Sequence, residues 1–261
     1  MIIDAFDPVS PAVFGPEDLL GARGDLADVC VVTFSLTALE HALLRFHPRQ
    51  IAAIPALNGE RPIYLLEEAG KRIAFYLSPI TAADAGMSLE DAAWLTGARH
   101  FVVYGSCGSM DASHTEGKLI VPTEAYRDEG LSYHYAKAAD YIQVKNAGIV
   151  ADVLSGLGLP HVQGRCWTTD ALYRETKANV CKRRNEGCIA ADMECAGLQA
   201  LCDFRGYEYY TFFYSGDLLD APQWEQRILG NRLEKDHQLS NFLVALEIAK
   251  MVVIEDRRDK R

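Results

Sequence analysis

The sequence predicts an α/β fold with a central sheet flanked by helices. Short β-branched or aromatic runs alternate with helical patterns along the chain, which argues for helices on both faces of the sheet. The 261 residues, 49% of them hydrophobic and 24% charged, suffice for a large core and fit one domain better than two small ones. No internal repeat, low-complexity tract or linker divides residues 1–261.

Taken in order, residues 1–28 carry Pro8, Pro11 and Pro16 and read as an irregular arm. Cys30–Phe34 is β-rich and short enough for a buried strand. Thr37–Phe46 has helical spacing, ended by Pro48. Asn58-Gly59 suits a hairpin turn between strands at 51–56 and 63–66, and Glu67–Lys71 a second turn before a strand at 72–77. Ser88, followed by Glu90 and Asp91, reads as the cap of a helix that Gly97 closes. A buried strand at 100–104 runs straight into Gly105-Ser106-Cys107-Gly108, whose glycines let the backbone turn sharply. Strands follow at 119–121, 161–167 and 209–214, and helices at 146–157, 176–184 and 195–204, with Gly158 and Gly206 as stops. A long amphipathic helix at 233–253 ends the pattern, and the charged tail at 255–261 is expected to fray.

A formal net charge of −10 gives no general attraction for phosphate backbones, so nucleic acid is disfavoured as a partner. A small anion needs backbone amides or a few local basic residues. The seven cysteines are odd in number and contain no CxxC pair, which fits free thiols in a reducing compartment better than a disulfide framework or metal site. No window reaches the apolar length of a membrane span, and Met1–Pro8 lacks the basic and apolar regions of a signal peptide. These features predict a cytoplasmic protein with neither membrane partner nor metal.

Four stretches carry residues suited to chemistry. In Ile189–Gly197, Asp192 can cap the following helix by accepting its first amides, and Glu194 suits the positive end of that helix. Gly105-Ser106-Cys107-Gly108 can aim amides and a hydroxyl at an anion, although a plain strand-to-loop turn explains it equally well. Trp167, ahead of Thr168-Thr169-Asp170, can stack on a flat heterocycle; a buried core tryptophan is the commoner outcome. Asp217, after Gly216 at a strand's carboxyl end, stands where open α/β sheets bind ligands, and a shielded carboxyl there can hold a proton and act as general acid. Arg227 is near enough in sequence to reach it. Spacing assigns no role to His134 in the dense run Arg127–Tyr135.

In collinear order over residues 59–253, these stretches resemble the nucleoside phosphorylase superfamily, the branch of purine nucleoside and uridine phosphorylases. The most specific piece is Asp192-Met193-Glu194-Cys195-Ala196-Gly197, similar to the family's acid-Met-Glu-x-Ala-Gly signature. The resemblance implies a three-layer fold around a mixed sheet and cleavage of a nucleoside's N-glycosidic bond, as in purine salvage. It implies that Glu194 holds the ribose hydroxyls and Met193 packs on the sugar, with Asp192 and Trp167 beside the base. It also implies that Asp217 protonates the purine with Arg227 steering the proton, and that Gly105, Ser106, Cys107 and Gly108 hold phosphate as co-substrate, with no cofactor. Homo-oligomers, dimers or hexamers, are the family's habit.

The chain departs from the family where phosphate binds. The N-terminal Gly-Asp-Pro-x-Arg loop is replaced by Val32–Leu39, and the arginine before the glycine-rich stretch by Val103 or Tyr104. Arg45 or Arg49, from this or a neighbouring subunit, is the candidate substitute. Tyr173 is followed by Arg174-Glu175-Thr176 rather than the Gln-x-Arg of uridine-type members, and Asp217 suits a purine nitrogen. Phosphorolysis of a purine nucleoside is the leading expectation; a hydrolytic nucleosidase, favoured by the missing arginines, a uridine phosphorylase and a non-catalytic nucleoside binder are the alternatives.

Overall fold

A computed structural model describes residues 1–258 except Asn58, Ala69, Pro222 and 230–234. Asn58 of the expected hairpin turn, Ala69 of the second turn, the expected helix start at Leu233 and the last three residues of the tail lie outside the described residues.

After a short helix α1 (Pro16–Leu20) in the arm, β1 (Val29–Thr33) is buried at every position, as a run without alternation requires. α2 (Leu36–Phe46) follows, started by Ser35, whose hydroxyl accepts the Ala38 amide. β2 (Arg49–Ile54), β3 (Arg61–Glu68) and β4 (Lys71–Leu77) form a meander, and α3 (Ala82–Thr96) leads to β5 (His100–Ser109). Beyond α4 (Ala112–Thr115) come β6 (Leu119–Asp128), α5 (Ser132–Tyr135), β7 (Tyr141–Gln143), α6 (Ala147–Gly156) and β8 (His161–Thr169). α7 (Lys177–Asn185), β9 (Cys188–Asp192), α8 (Cys195–Arg205), β10 (Glu208–Leu218) and α9 (Lys235–Arg258) complete the chain. The predicted α/β class with a mixed sheet is the observed one. No helix among the described residues is long and apolar enough to cross a membrane.

The strands share one mixed sheet in the order β10-β6-β8-β9-β5-β1-β4-β3-β2, with β7 beside β6. β10 also pairs in parallel with β5, so β10, β6, β8, β9 and β5 close into a ring from which the other strands extend. Along one edge of β5, β1 takes Phe101–Tyr104, and β9 takes Gly108 and Ser109 where β1 has ended. β9 runs antiparallel to β5, and only their carboxyl ends meet, Gly108 opposite Ala191. β10 brings Asp217 opposite the same Gly108. Three strand ends thus converge on one point. Helices α2, α6 and α9 pack together, and α3 packs with α1 and α8, which also receives α5. Phe75, Phe101, Tyr104 and Phe212 are fully buried in the core, and the Tyr104 and Phe212 rings stack at 5.5 Å.

Two sequence expectations are corrected. Ser88 does not cap a helix: it lies buried in the middle of α3, which begins at Ala82. Ala82, Ala85 and Gly86 extend the helix toward its amino end because small residues let it press against α8, where a Cβ built on Gly197 would come within 2.7 Å of the Ala82 Cβ. Nor is Gly105–Gly108 a turn. It continues β5, and neither glycine has positive φ. Their value is close approach: a Cβ on Gly105 would meet the Phe34 ring at 3.1 Å, and one on Gly108 the Leu219 Cδ1 at 2.7 Å.

Gly197→Ala should therefore destabilise the protein. The overpacking costs about 1–3 kcal/mol and outweighs a helix-propensity gain of about 1 kcal/mol, because Ala82 and Leu131 (Cβ at 3.3 Å) hem in the added methyl. Gly148→Ala, whose Cβ meets nothing within 4 Å, should leave the urea midpoint unchanged or raise it. Equal midpoints for the two variants would show that the α3–α8 contact yields freely.

Candidate active site

The site grows from the junction of β9 and α8. Asp192 ends the strand, and its Oδ2 accepts the amides of Glu194 at 2.9 Å and Cys195 at 2.6 Å. Its Oδ1 accepts the Thr168 hydroxyl at 2.7 Å, and that hydroxyl oxygen accepts the Ala196 amide at 3.1 Å. Amides that a helix start leaves unpaired are thereby satisfied, and β8 is locked to α8. Burial raises the Asp192 pKa, opposed by these donors. Both of its oxygens are engaged inside the protein, so Asp192 shapes the site by placing Glu194.

Glu194, half-buried like Met193 beside it, does not fold back on its own helix. Its Oε1 accepts the Thr81 amide at 2.8 Å. Thr81 has φ +85°, an unfavourable value for a β-branched residue, and this backbone aims the amide at the carboxylate. Burial first, and then the charge of Asp192, lift the Glu194 carboxyl to about 8, against the Thr81 and Met193 amides.

The convergence point of the strands supplies the rest. On β5, Ser106 is exposed while Cys107 is buried, its thiol pushed far up by burial and by the charges of Asp192 and Asp217. Asp217 is buried, and burial raises its pKa. Its Oδ2 accepts the Trp224 indole N–H at 2.7 Å, which works the other way. The chain after β10 folds back so that Leu218 and Glu225 bridge, swinging Trp224, 57% exposed, over Asp217. Glu175, in the loop after β8, is half-buried, and burial with the charges of Asp217 and Asp192 raises it to about 7. Among the described residues none of Glu175, Asp192, Glu194 and Asp217 forms a salt bridge. The site is acidic, and burial raises all four carboxyl groups, the direction that general acid chemistry requires. Among the described residues no group of three or more His, Cys, Asp or Glu could hold a metal ion.

Three expected site residues lie elsewhere. Trp167 is 1% exposed and packs with Met110, Val180, Cys188 and Ala191 while donating its N–H to Asp128 at 3.0 Å, so its faces are closed to a base. Arg227 turns away from Asp217 and pairs with Glu116 and Glu225, both at 3.6 Å. Arg49 lies on the edge strand β2, four strands from β5 and roughly 19 Å away at the usual strand spacing, so it cannot reach Ser106 within one chain. Arg127 is structural: it lies over the Tyr133 ring at 4.4 Å and donates to the Ser132 hydroxyl at 2.8 Å and the Lys137 carbonyl at 2.7 Å. His134 is exposed on α5. Sequence reasoning missed Trp224, Thr81 and the placement of Glu175; each reaches the site through a loop that carries no periodic signal. A separate cavity of about 410 Å³, lined by Asp111, Arg184, Asn185 and Cys188, opens at the other end of β9.

Glu194 also predicts a pH dependence of stability. Unfolded, it titrates at 4.5; folded, at about 8, so folding takes up a proton and stability falls as pH rises through that window. Glu194→Gln removes this loss. The stability of the variant relative to the wild type should rise by on the order of 2 kcal/mol between pH 5 and pH 9 in urea titrations. A constant difference would show that Glu194 titrates as an ordinary carboxylate.

Comparison with known proteins places this geometry. Residues 28–243 match the family model of the phosphorylase superfamily. Among curated proteins, the uncharacterized protein R802 of Acanthamoeba polyphaga mimivirus is 25% identical over 146 residues, 54% of this chain and 57% of that protein. The match thus spans little more than half of the relative. Similar solved structures include an AMP nucleosidase from Bacteroides thetaiotaomicron, with TM-score 0.68, 13% identity and 90% of each chain covered. The 5′-methylthioadenosine/S-adenosyl homocysteine nucleosidase of Campylobacter jejuni has TM-score 0.69 and 14% identity over 86% of this chain and 99% of its own. Native futalosine hydrolase of Helicobacter pylori has TM-score 0.68 and 12% identity over 87% of this chain and 99% of its own. At these identities the structural likeness speaks for the fold. With the family model covering most of the chain, the conclusion is that this protein belongs to the phosphorylase superfamily.

Proposed function

We propose that the chain cleaves the N-glycosidic bond of a purine nucleoside with water as the acceptor, making it a nucleosidase. The observation that carries the choice of water is electrostatic. Four carboxyl groups gather at the site without an ion-paired cation among the described residues, and Phe34, from the segment 32–39 in which the resemblance to the family leads one to expect an arginine, lies against Gly105. A phosphate dianion there finds no cation to offset its charge and meets repulsion of roughly 1–4 kcal/mol from each carboxyl group that is ionised, whereas water meets none. The nucleosidases and hydrolase among the similar structures support the same reaction, and AMP and 5′-methylthioadenosine in their names support a purine.

In this reading Glu194 accepts hydrogen bonds from the ribose hydroxyls, and Met193 packs on the sugar. Asp217 donates its proton to the purine ring nitrogen N7. The C1′–N9 bond breaks with its electron pair passing to the base, and the sugar develops oxocarbenium character. The Asp217 carboxylate left by the proton transfer stabilises that positive charge. Water adds to C1′ from the face of Ser106, and the proton it loses restores the acid. Trp224, exposed above Asp217, takes the stacking role that the closed Trp167 cannot. Phosphorolysis requires a cation beside Ser106, which in a homo-oligomer a second copy of the chain could bring.

The deciding experiment is turnover of purine nucleosides with and without phosphate. The expected result is free ribose at a rate indifferent to phosphate; ribose 1-phosphate as the product would overturn the choice of water. Asp217→Asn should lower kcat by about 10²–10⁴-fold with nucleoside binding retained. Undiminished turnover would remove Asp217 from the mechanism.

A further inference from the structure

We propose that Trp224 is a positioning residue for the acid: its indole N–H holds Oδ2 of Asp217, so the proton that Asp217 delivers sits on Oδ1, which opens toward the end of β5. The inference rests on the reading of Asp217 as proton donor to a nucleoside and assigns the group that aims it.

The contact is built by the fold-back of the chain after β10. The Leu218 amide donates to the Glu225 carbonyl at 2.9 Å, and the Glu225 amide donates back to the Leu218 carbonyl at 3.4 Å. The same returning limb is tied to β10 again by the Leu229 amide on the Gly216 carbonyl at 2.8 Å. Trp224 enters directly before this bridge, and its N–H reaches Asp217 Oδ2 at 2.7 Å. A tryptophan placed for packing buries its rings, as Trp167 does. Trp224 instead stays 57% exposed and directs its one polar atom at a carboxyl group.

The second oxygen of Asp217 has other surroundings. Among the described residues Oδ1 accepts no hydrogen bond. It stands over β5, 3.4 Å from the place that a Cβ on Gly108 would occupy. Ser106, two residues earlier and so on the same face of β5, is exposed. One oxygen is tied to the indole, and the other is left open beside Ser106.

Donor chemistry then decides where the proton goes. An indole nitrogen only donates, so the oxygen facing it must accept. A neutral Asp217 therefore carries its hydrogen on Oδ1. The N–H bond strengthens as Asp217 ionises, because a carboxylate accepts more strongly than a neutral carboxyl. Trp224 thus aims the acid and favours its ionised product, while burial acts in the opposite sense and keeps the proton on. Two other titratable groups face Asp217, Cys107 on β5 and Glu175 in the loop after β8. The charged groups of the returning chain are engaged elsewhere: Asp220 with Arg184 at 3.9 Å, and Arg227 with Glu225 and Glu116 at 3.6 Å.

The test follows the indole N–H signals by NMR across pH in the ligand-free wild type, Trp224→Phe and Asp217→Asn, alongside pH profiles of purine nucleoside cleavage. Trp94 and Trp167 donate to the Gly21 carbonyl and to Asp128, so the signal lost in Trp224→Phe is the one in question. The expected result is a Trp224 signal that shifts with pH in the wild type and stays fixed in Asp217→Asn. Comparison of those two proteins also assigns the signal if Trp224→Phe folds poorly. Trp224→Phe keeps an aromatic face and lacks the N–H. Its kcat should fall by about 10–100-fold with KM unchanged. The high-pH limb of its profile should move to higher pH, because Asp217 has lost the bond that favours its ionised form. A signal indifferent to pH, or a Trp224→Phe profile that coincides with the wild type, would overturn the role of Trp224 and leave the nucleosidase reading in place. A wild type that cleaves no purine nucleoside while its indole signal still follows Asp217 would overturn that reading and leave the aim of the N–H standing.

Discussion

The carboxylate of Asp192 is the constraint on which the site depends. With three hydrogen bonds it joins the end of β9, the start of α8 and Thr168 of β8. The turn that presents Met193 and Glu194 has its shape because those amides have nowhere better to go: a helix start buried at the meeting of three strands must find acceptors or lose stability. Asp192 supplies them, and in doing so sets a negative charge beside Glu194. The helix cap and the electrostatics of the site have a single origin.

That charge propagates. Glu194 is pushed toward protonation by burial and by Asp192, and Glu175 by burial and by Asp217 and Asp192. The protein offsets part of the cost locally, with the strained Thr81 amide on Glu194 and the Trp224 indole on Asp217. Acidic walls of this kind disfavour an anionic co-substrate and favour a ligand that becomes positive as it reacts. In the proposed reaction a sugar passing through an oxocarbenium-like state is such a ligand.

The ring of five strands explains how distant segments share one point. β10 and β5 run together, β9 runs against them, and only the carboxyl ends of β9 and β5 pair. Gly108 and Gly216 make that crossing possible, since a Cβ at either would come within 3 Å of a neighbouring side chain. Glycines that look like turn residues in the sequence are here required by crowding between extended strands.

The α/β class and the helix starting after Asp192 were legible in the sequence, because hydrophobic periodicity and capping residues depend on local chemistry; the grouping of Ser106, Glu194 and Asp217 came from the resemblance of their motifs to a family. Tertiary structure decided which side of each residue faces the site. Trp167 is equally able to stack on a base or fill a core; packing with Met110 and Ala191 closes it, while Trp224, unremarkable in sequence, is swung over Asp217 by a returning loop. Arg227 lies close to Asp217 along the chain yet pairs with Glu116. Short-range pattern determines elements, whereas the partners of a charge or an indole depend on segments dozens of residues away, and only the folded chain brings those together.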